Sequence, residues 1–234
     1  MSSKVIAFSY GKNHYAASVE RRERKTLAIS VLPDCTIQAI APLQTPDILI
    51  EERLRKRARW INRQLAYFAQ FQPRTPERKF VSGETHLYLG RKYRLKLIPG
   101  ENSSVKLQAG HFHITCKDGD FSLAGKLLWR WYREKAEAKF DERLAYCLAK
   151  FKGHKRPELA IRQLRKRWGS LTPQGLLTLN LDLIRAPVEC IDYVIIHELC
   201  HVEEPHHGNA FTSLLEQKLN GWQAKKHKLE LRLS

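Results

Sequence analysis

Residues 191–207 read IDYVIIHELCHVEEPHH. The apolar run Ile191, Tyr193, Val194, Ile195 and Ile196 leads into an HExxH pattern at His197, and no Gly or Pro interrupts it before Pro205. This is the pattern of a helix buried at the floor of a cleft. At 3.6 residues per turn, His197 and His201 stand one turn apart on the same face. Two imidazoles so placed can bind one metal ion, and Glu198 projects beside it, where it could hold and deprotonate a metal-bound water.

A catalytic zinc needs a third protein ligand and keeps one position open. Pro205 cannot continue the helix and restricts Glu204 to extended geometry, so the chain is expected to turn there. That turn would return His207 to the metal, completing the spacing HxxxHxxxxxH that recurs in several zinc hydrolase families. His207 is therefore a better third ligand than His206, and Glu203 and Glu204 are weaker ones. Apolar flanks and a correctly spaced third histidine weigh against a merely solvated surface helix. His14, His86, His111, His113, His154 and His227 have no comparable spacing, and Cys200 should point off the ligand face as a packing residue.

The chemistry expected of these parts is hydrolysis. Zinc would acidify its bound water and polarise the scissile carbonyl, while Glu198 would accept the proton and deliver it to the leaving amine. A peptide bond is the natural substrate of that arrangement. The sequence does not identify the donor for the oxyanion.

Outward from this helix, the first forty residues alternate apolar and polar positions in short pieces, read as a small antiparallel sheet. Thr45 as cap and Pro46 at the first helical position open a long amphipathic segment to about Phe71, which contains the basic run Arg53-Leu54-Arg55-Lys56-Arg57-Ala58-Arg59. The β pattern returns from Lys79 to Cys116 with hairpins such as HLYLGRKYRLKL. A long helix follows from about Leu123 to Phe151, then extended pieces near Leu159 to Trp168 and Leu176 to Leu181, and a helical pattern after Pro187. No repeat of fixed period is visible. Trp168-Gly169-Ser170, after the basic residues Arg162, Arg165, Lys166 and Arg167, would either line the cleft as an edge strand with phosphate-binding side chains or serve as a core Trp with a turn Gly. The fold class is α+β: a β-rich region with one long helix over 1–120, then a helical region over 121–234 that carries the motif.

The 234 residues carry 41 Lys and Arg against 24 Asp and Glu, a formal net charge of +17. Such a surface attracts polyanions, so DNA or RNA is a candidate partner beside a protein or peptide substrate. Five scattered cysteines without a CxxC pair suit reduced thiols and exclude a zinc ribbon. No secretory signal and no membrane-length apolar stretch are visible, so a cytoplasmic protein without a membrane partner is expected.

KRWGSLTPQGLLTLNLDLIRAP, followed by IDYVIIHELCHVEEPHHGNAF, resembles the YgjP-like metallopeptidase family, relatives of the SprT-type zinc proteases, in its RWGS, LN and HELxH…H segments. SGETHLYLGRKYRLKL from Ser82 is similar to the family's hairpin region. The resemblance implies a zincin-like catalytic half, one zinc ion on His197, His201 and His207, Glu198 as the catalytic glutamate, and a link to nucleic-acid-associated protein substrates. Where the family usually has Cys after RWGS this chain has Leu171, which leaves the metal site untouched. Metzincins share the histidine spacing, but Glu204 replaces their Gly, and Met1 is the only methionine, so no Met-turn can form. Zinc endoribonucleases of the HxxxHxxxxxH type lack the glutamate after the first His. A zinc-dependent nuclease and a nucleic-acid-binding protein with a structural zinc are the alternatives to a peptidase.

Overall fold

The computed structural model describes residues 4–32, 34–70, 78–164 and 167–233, and the chain divides into two units, one up to Pro76 and one from Glu77 to Leu233. In the first, β1 (Lys4–Tyr10) and β2 (Asn13–Arg22) form a hairpin, while β3 (Ala28–Val31) pairs with β4 (Ile37–Pro42); the sheet order is β1-β2-β4-β3. The sheet is mixed where an antiparallel one was expected, because β4 runs parallel to β2 from Ala17↔Ile37 onward. Local alternation identifies strands, but it carries no information about which strand inserts beside which.

Alternate residues of these strands, among them Ile6, Phe8, Ala17, Val19, Ile37 and Ala39, are buried on one face. Ile50 and Leu54 of α1 (Asp47–Lys56) and Ala58 and Ile61 of α2 (Ala58–Ala69) join that core. The helical segment expected to be continuous breaks at Arg57 (φ −95°, ψ 2°), whose N–H is shared between the carbonyls of Arg53 and Leu54 at 3.1 Å each. Neither Gly nor Pro marks the break, and the apolar stripe runs on across it. The helix also starts one residue late: Pro46 is the N-cap, and the Thr45 carbonyl accepts from the Arg21 guanidinium. Phe71, expected at the end of this segment, lies outside the described residues.

In the second unit, β5 (Thr85–Tyr88), β6 (Arg91–Gly100), β7 (Ser104–Gln108) and β8 (His111–Lys117) are ordered β5-β6-β8-β7. The succession of antiparallel, parallel and antiparallel pairs is the same as in the first sheet, although no sequence repeat announces it. The helix α3 (Ala124–Leu148) buries Leu128, Trp131, Tyr132, Ala136, Phe140 and Leu144, a helical stripe. These residues share one core with Leu95, Phe112 and Ile114 of the sheet and with Ile191, Ile195 and Ile196 of α4 (Val188–Glu203). That shared core is why the division falls after Pro76, not at the 120/121 boundary expected from the change in composition.

A small sheet of β9 (Glu158–Arg162), β10 (Gly169–Leu171) and β11 (Leu176–Asn180), ordered β10-β11-β9, packs through β10 on α4 and through β9 on α3, while α5 (Asn209–Lys218) and α6 (Trp222–Leu233) also pack on α4. The class is α+β, as expected. No helix among the described residues is long and apolar enough to cross a membrane.

Two contacts fix where α4 begins. The β5–β6 turn has positive φ at both central residues, Leu89 (46°) and Gly90 (79°), as a two-residue I′ hairpin requires. Its N–H groups donate to the carbonyls of Ile184 (2.9 Å) and Arg185 (3.0 Å), and a Cβ on Gly90 would stand 2.7 Å from Pro187 Cγ, at the helix N-cap. From α3, the Arg143 guanidinium donates to both oxygens of Asp192, at 2.7 and 2.8 Å. Such forked charge-assisted pairs set orientation as well as energy.

Candidate metal centre

The helix α4 spans the whole predicted motif. Its buried side carries Ile191, Val194, Ile195 and Leu199, while His197, Glu198 and His201 are half-buried on the adjoining side. It ends at Glu203, and Glu204 is extended (φ −128°, ψ 91°), the geometry Pro205 imposes on the residue before it. The turn that follows brings His207 back. His207 Nε2 stands 3.1 Å from His197 Nε2 and 3.1 Å from His201 Nε2.

Three imidazole nitrogens this close face one point. Tetrahedral ligands 2.0–2.1 Å from a zinc ion are separated by about 3.3 Å, so the donor set and its spacing fit that ion. The tautomer of His201 fits as well. His201 Nδ1 lies 3.1 Å from the carbonyl of Glu204, which can only accept, so this nitrogen carries the proton and Nε2 keeps its lone pair for the centre. Burial pushes His197 down to about 4, helped by the neighbouring His201, His207 and Lys226. Burial, His201 and Lys226 also lower His207. Both imidazoles are therefore neutral near pH 7, the form that binds a metal. Among the described residues no other group of three potential ligands converges in this way.

Phe211 of α5 is buried beneath all three rings, with centroids 5.0 Å from His197, 4.6 Å from His201 and 4.7 Å from His207. Tyr193, one turn before His197, lies 5.8 Å from its ring and stacks on Trp222 of α6. Burial and the Glu198 charge push the Tyr193 hydroxyl up to about 12, so it stays protonated. Neither Phe211 nor Trp222 was picked out from sequence, since only tertiary packing brings α5 and α6 to the histidines.

The other candidates lie outside the cluster. Glu203 pairs with His154 at 3.1 Å, Glu204 offers its carbonyl to His201, and His206 is exposed and outside the cluster. Cys200 is buried off the ligand face, and burial holds its thiol up at about 12.

Glu198 faces β10. Burial raises its carboxyl to about 7, against the lowering influence of a hydrogen bond from the Leu171 N–H and of the Arg167 charge. A carboxyl poised there can take up or give a proton at neutral pH. The strand beside it is the edge strand envisaged from the sequence, while Arg165 and Lys166 of the basic run lie outside the described residues. Trp168 accepts from the Asn180 N–H and Thr172 donates to Leu176, so even-numbered residues bond to β11. Gly169 and Leu171 turn their peptide groups to the free edge.

A model of the YgjP-like metallopeptidase domain matches residues 25–232 of this chain. Among solved structures, the chain is similar to the metallopeptidase zymogen abylysin of Pyrococcus abyssi, with 23% identity, a TM-score of 0.34, and coverage of 38% of this chain and 87% of that one. It is also similar to the metallopeptidase zymogen jannalysin of Methanocaldococcus jannaschii, with 18% identity, a TM-score of 0.35, and coverage of 40% and 87%. No match is found among the curated proteins.

Proposed function

The chain belongs to the YgjP-like metallopeptidase family, and from that premise we propose that it hydrolyses peptide bonds with one zinc ion held by His197, His201 and His207 and with Glu198 as the base. The observation that carries this reading is the return of His207 Nε2 to within 3.1 Å of the Nε2 atoms of both His197 and His201, on a helix that also presents the Glu198 carboxyl, near 7. Bound zinc supplies Lewis acidity, acidifying water and polarising the scissile carbonyl. Glu198 takes the proton released when water attacks and returns it to the leaving amine. The Gly169 N–H and C=O on the free edge of β10 suit an extended peptide, which would lie beside Glu198. Phe211 and Tyr193 keep the histidine side of the site apolar.

The test is Glu198→Gln. The variant is expected to bind zinc as the wild type does and to lose cleavage of an unfolded protein substrate by at least about 100-fold. Undiminished cleavage would remove Glu198 from the mechanism. Cleavage of single-stranded RNA or DNA by the zinc-loaded enzyme, with protein left intact, would favour a nuclease instead.

A second element of the reading is recruitment to nucleic acid through the first unit. Between Arg53 and Arg63 stand six exposed Lys and Arg and no acid. Arg55 and Lys56 pair with Glu51 and Glu52, whereas Arg53, Arg57, Arg59 and Arg63 have no ion pair among the described residues. The apolar stripe Ile50, Leu54, Ala58 and Ile61 is buried, so the arginines occupy the outer face. Each phosphate contact contributes about −0.9 to the slope of log K against log salt on duplex DNA. Arg59→Glu/Arg63→Glu is thus expected to reduce that slope by about 2. An unchanged slope would remove this face from any such binding.

A further inference from the structure

The RWGS and LN segments hold none of the groups assigned above to metal or proton transfer, yet they adjoin the site. Asn180, at the end of β11, is 2% exposed and directs most of its amide's hydrogen bonds to the chain that leads into β10. Its Nδ2 donates to the carbonyls of Leu164 (2.8 Å) and Arg167 (3.1 Å), and its Oδ1 accepts from the N–H groups of Leu164 (3.4 Å) and Asp182 (3.1 Å). Its own N–H donates to the carbonyl of Trp168 at 2.8 Å. One buried side chain therefore ties down both ends of the approach to β10.

What that approach delivers is Gly169. A Cβ at this position would lie 3.0 Å from Glu198 Oε1, 3.1 Å from Glu198 Cγ and 3.0 Å from Val194 Cγ1. These separations are shorter than the 3.5–4.0 Å of favourable carbon contact. The backbone of β10 thus lies so close to α4 that a side chain here would crowd both Glu198 and Val194. Gly169 does not have a positive φ, so its conformation alone does not favour glycine; the nearness of Glu198 and Val194 does.

We propose that Gly169 and Asn180 are positioning residues for Glu198: Asn180 anchors the strand, and the bare backbone at Gly169 leaves the room in which the carboxylate keeps its place. This rests on the peptidase reading of the site. It gives the two sequence segments a single purpose, the aim of the base, and assigns them no part in holding the metal.

The experiment compares wild type and Gly169→Ala by zinc content, kcat and KM on a peptide substrate, and crystal structures of both. The expected result is full zinc content, a kcat lower by about 10- to 100-fold that exceeds any change in KM, and a displaced Glu198 carboxylate. Asn180→Asp, which removes the donor to Leu164 and Arg167, should show the same split between kcat and KM. Val194→Ala/Gly169→Ala makes room beside α4 without relieving the contact with Glu198, so its kcat should stay low; it also serves if the single variant folds poorly. A Gly169→Ala enzyme with wild-type kcat, or a kcat restored in the double variant, would overturn the proposal. Should wild type cleave no peptide, the peptidase reading fails, while the crystal structures still decide this inference: an unmoved carboxylate sinks it.

Discussion

His201 donates from Nδ1 to the backbone carbonyl of Glu204, at 3.1 Å, across the turn that Pro205 creates. The same proline that ends α4 thereby fixes the tautomer of one candidate ligand and returns another, His207, to the cluster. Replacing it with a residue free to continue the helix or flex should loosen both. Pro205→Gly is expected to weaken zinc binding by about 10- to 100-fold, the usual cost of losing support behind a ligand. Competition with a calibrated chelator reads this directly, and an unchanged affinity would show that the turn closes without the proline.

Zinc itself should stabilise the second unit, because three imidazoles that converge, with His207 Nε2 3.1 Å from each of the other two, gain their partner only in the folded state. At a free concentration one hundred times the Kd, linkage gives about 2.7 kcal/mol. For a unit of this size that raises Tm by roughly 5–10 °C. His207→Ala should abolish most of the rise. Equal rises in wild type and variant would mean that His207 is not a ligand.

The α4 motif was legible because it is local: a period of 3.6, an apolar flank and one proline determine where His197, Glu198, His201 and His207 lie. The β5–β6 hairpin was legible for the same reason, since Leu89-Gly90 sits between two alternating runs. What could not be read depends on partners distant in sequence. The parallel insertion of β4 beside β2, the core shared by Phe112 and Ile195, and the Phe211 ring beneath the histidines leave no local trace. Gly169 looked equally like a turn residue, because the Glu198 carboxyl that crowds a side chain there lies twenty-nine residues away.

The cysteines offer a check on burial. Cys116, Cys147, Cys190 and Cys200 are buried, and burial raises their thiols, to about 12, 11 and 12 for the last three. Cys35 is only half-buried. The thiolate is the reactive form, so a disulfide reagent at pH 8 should modify one thiol of the native protein quickly and the other four only in denaturant. Rapid loss of more than one thiol would show that the second unit opens on the timescale of the assay.

Acid should destabilise the second unit through His86, which is 5% exposed, stacks on Phe80 and lies 3.3 Å from the Glu84 carboxylate. Burial lowers its pKa, with Arg78 and Arg185 acting in the same direction and Glu84 opposing them. For Glu84, burial raises the carboxyl, but the Phe80 N–H, His86 and the Lys79 N–H together leave it below its ordinary value. The unfolded chain therefore binds the His86 proton first as pH falls through about 6.5, and stability drops with it. Glu84 adds a loss in the same direction below its unfolded value of about 4.3. Replacing His86 with Phe keeps a ring against Phe80 and removes the proton-binding group. The decline in Tm between pH 7.5 and 5.5 should be shallower in His86→Phe than in wild type, the remaining histidines being common to both. Parallel declines would mean that His86 takes up its proton as readily in the folded protein as in the unfolded chain.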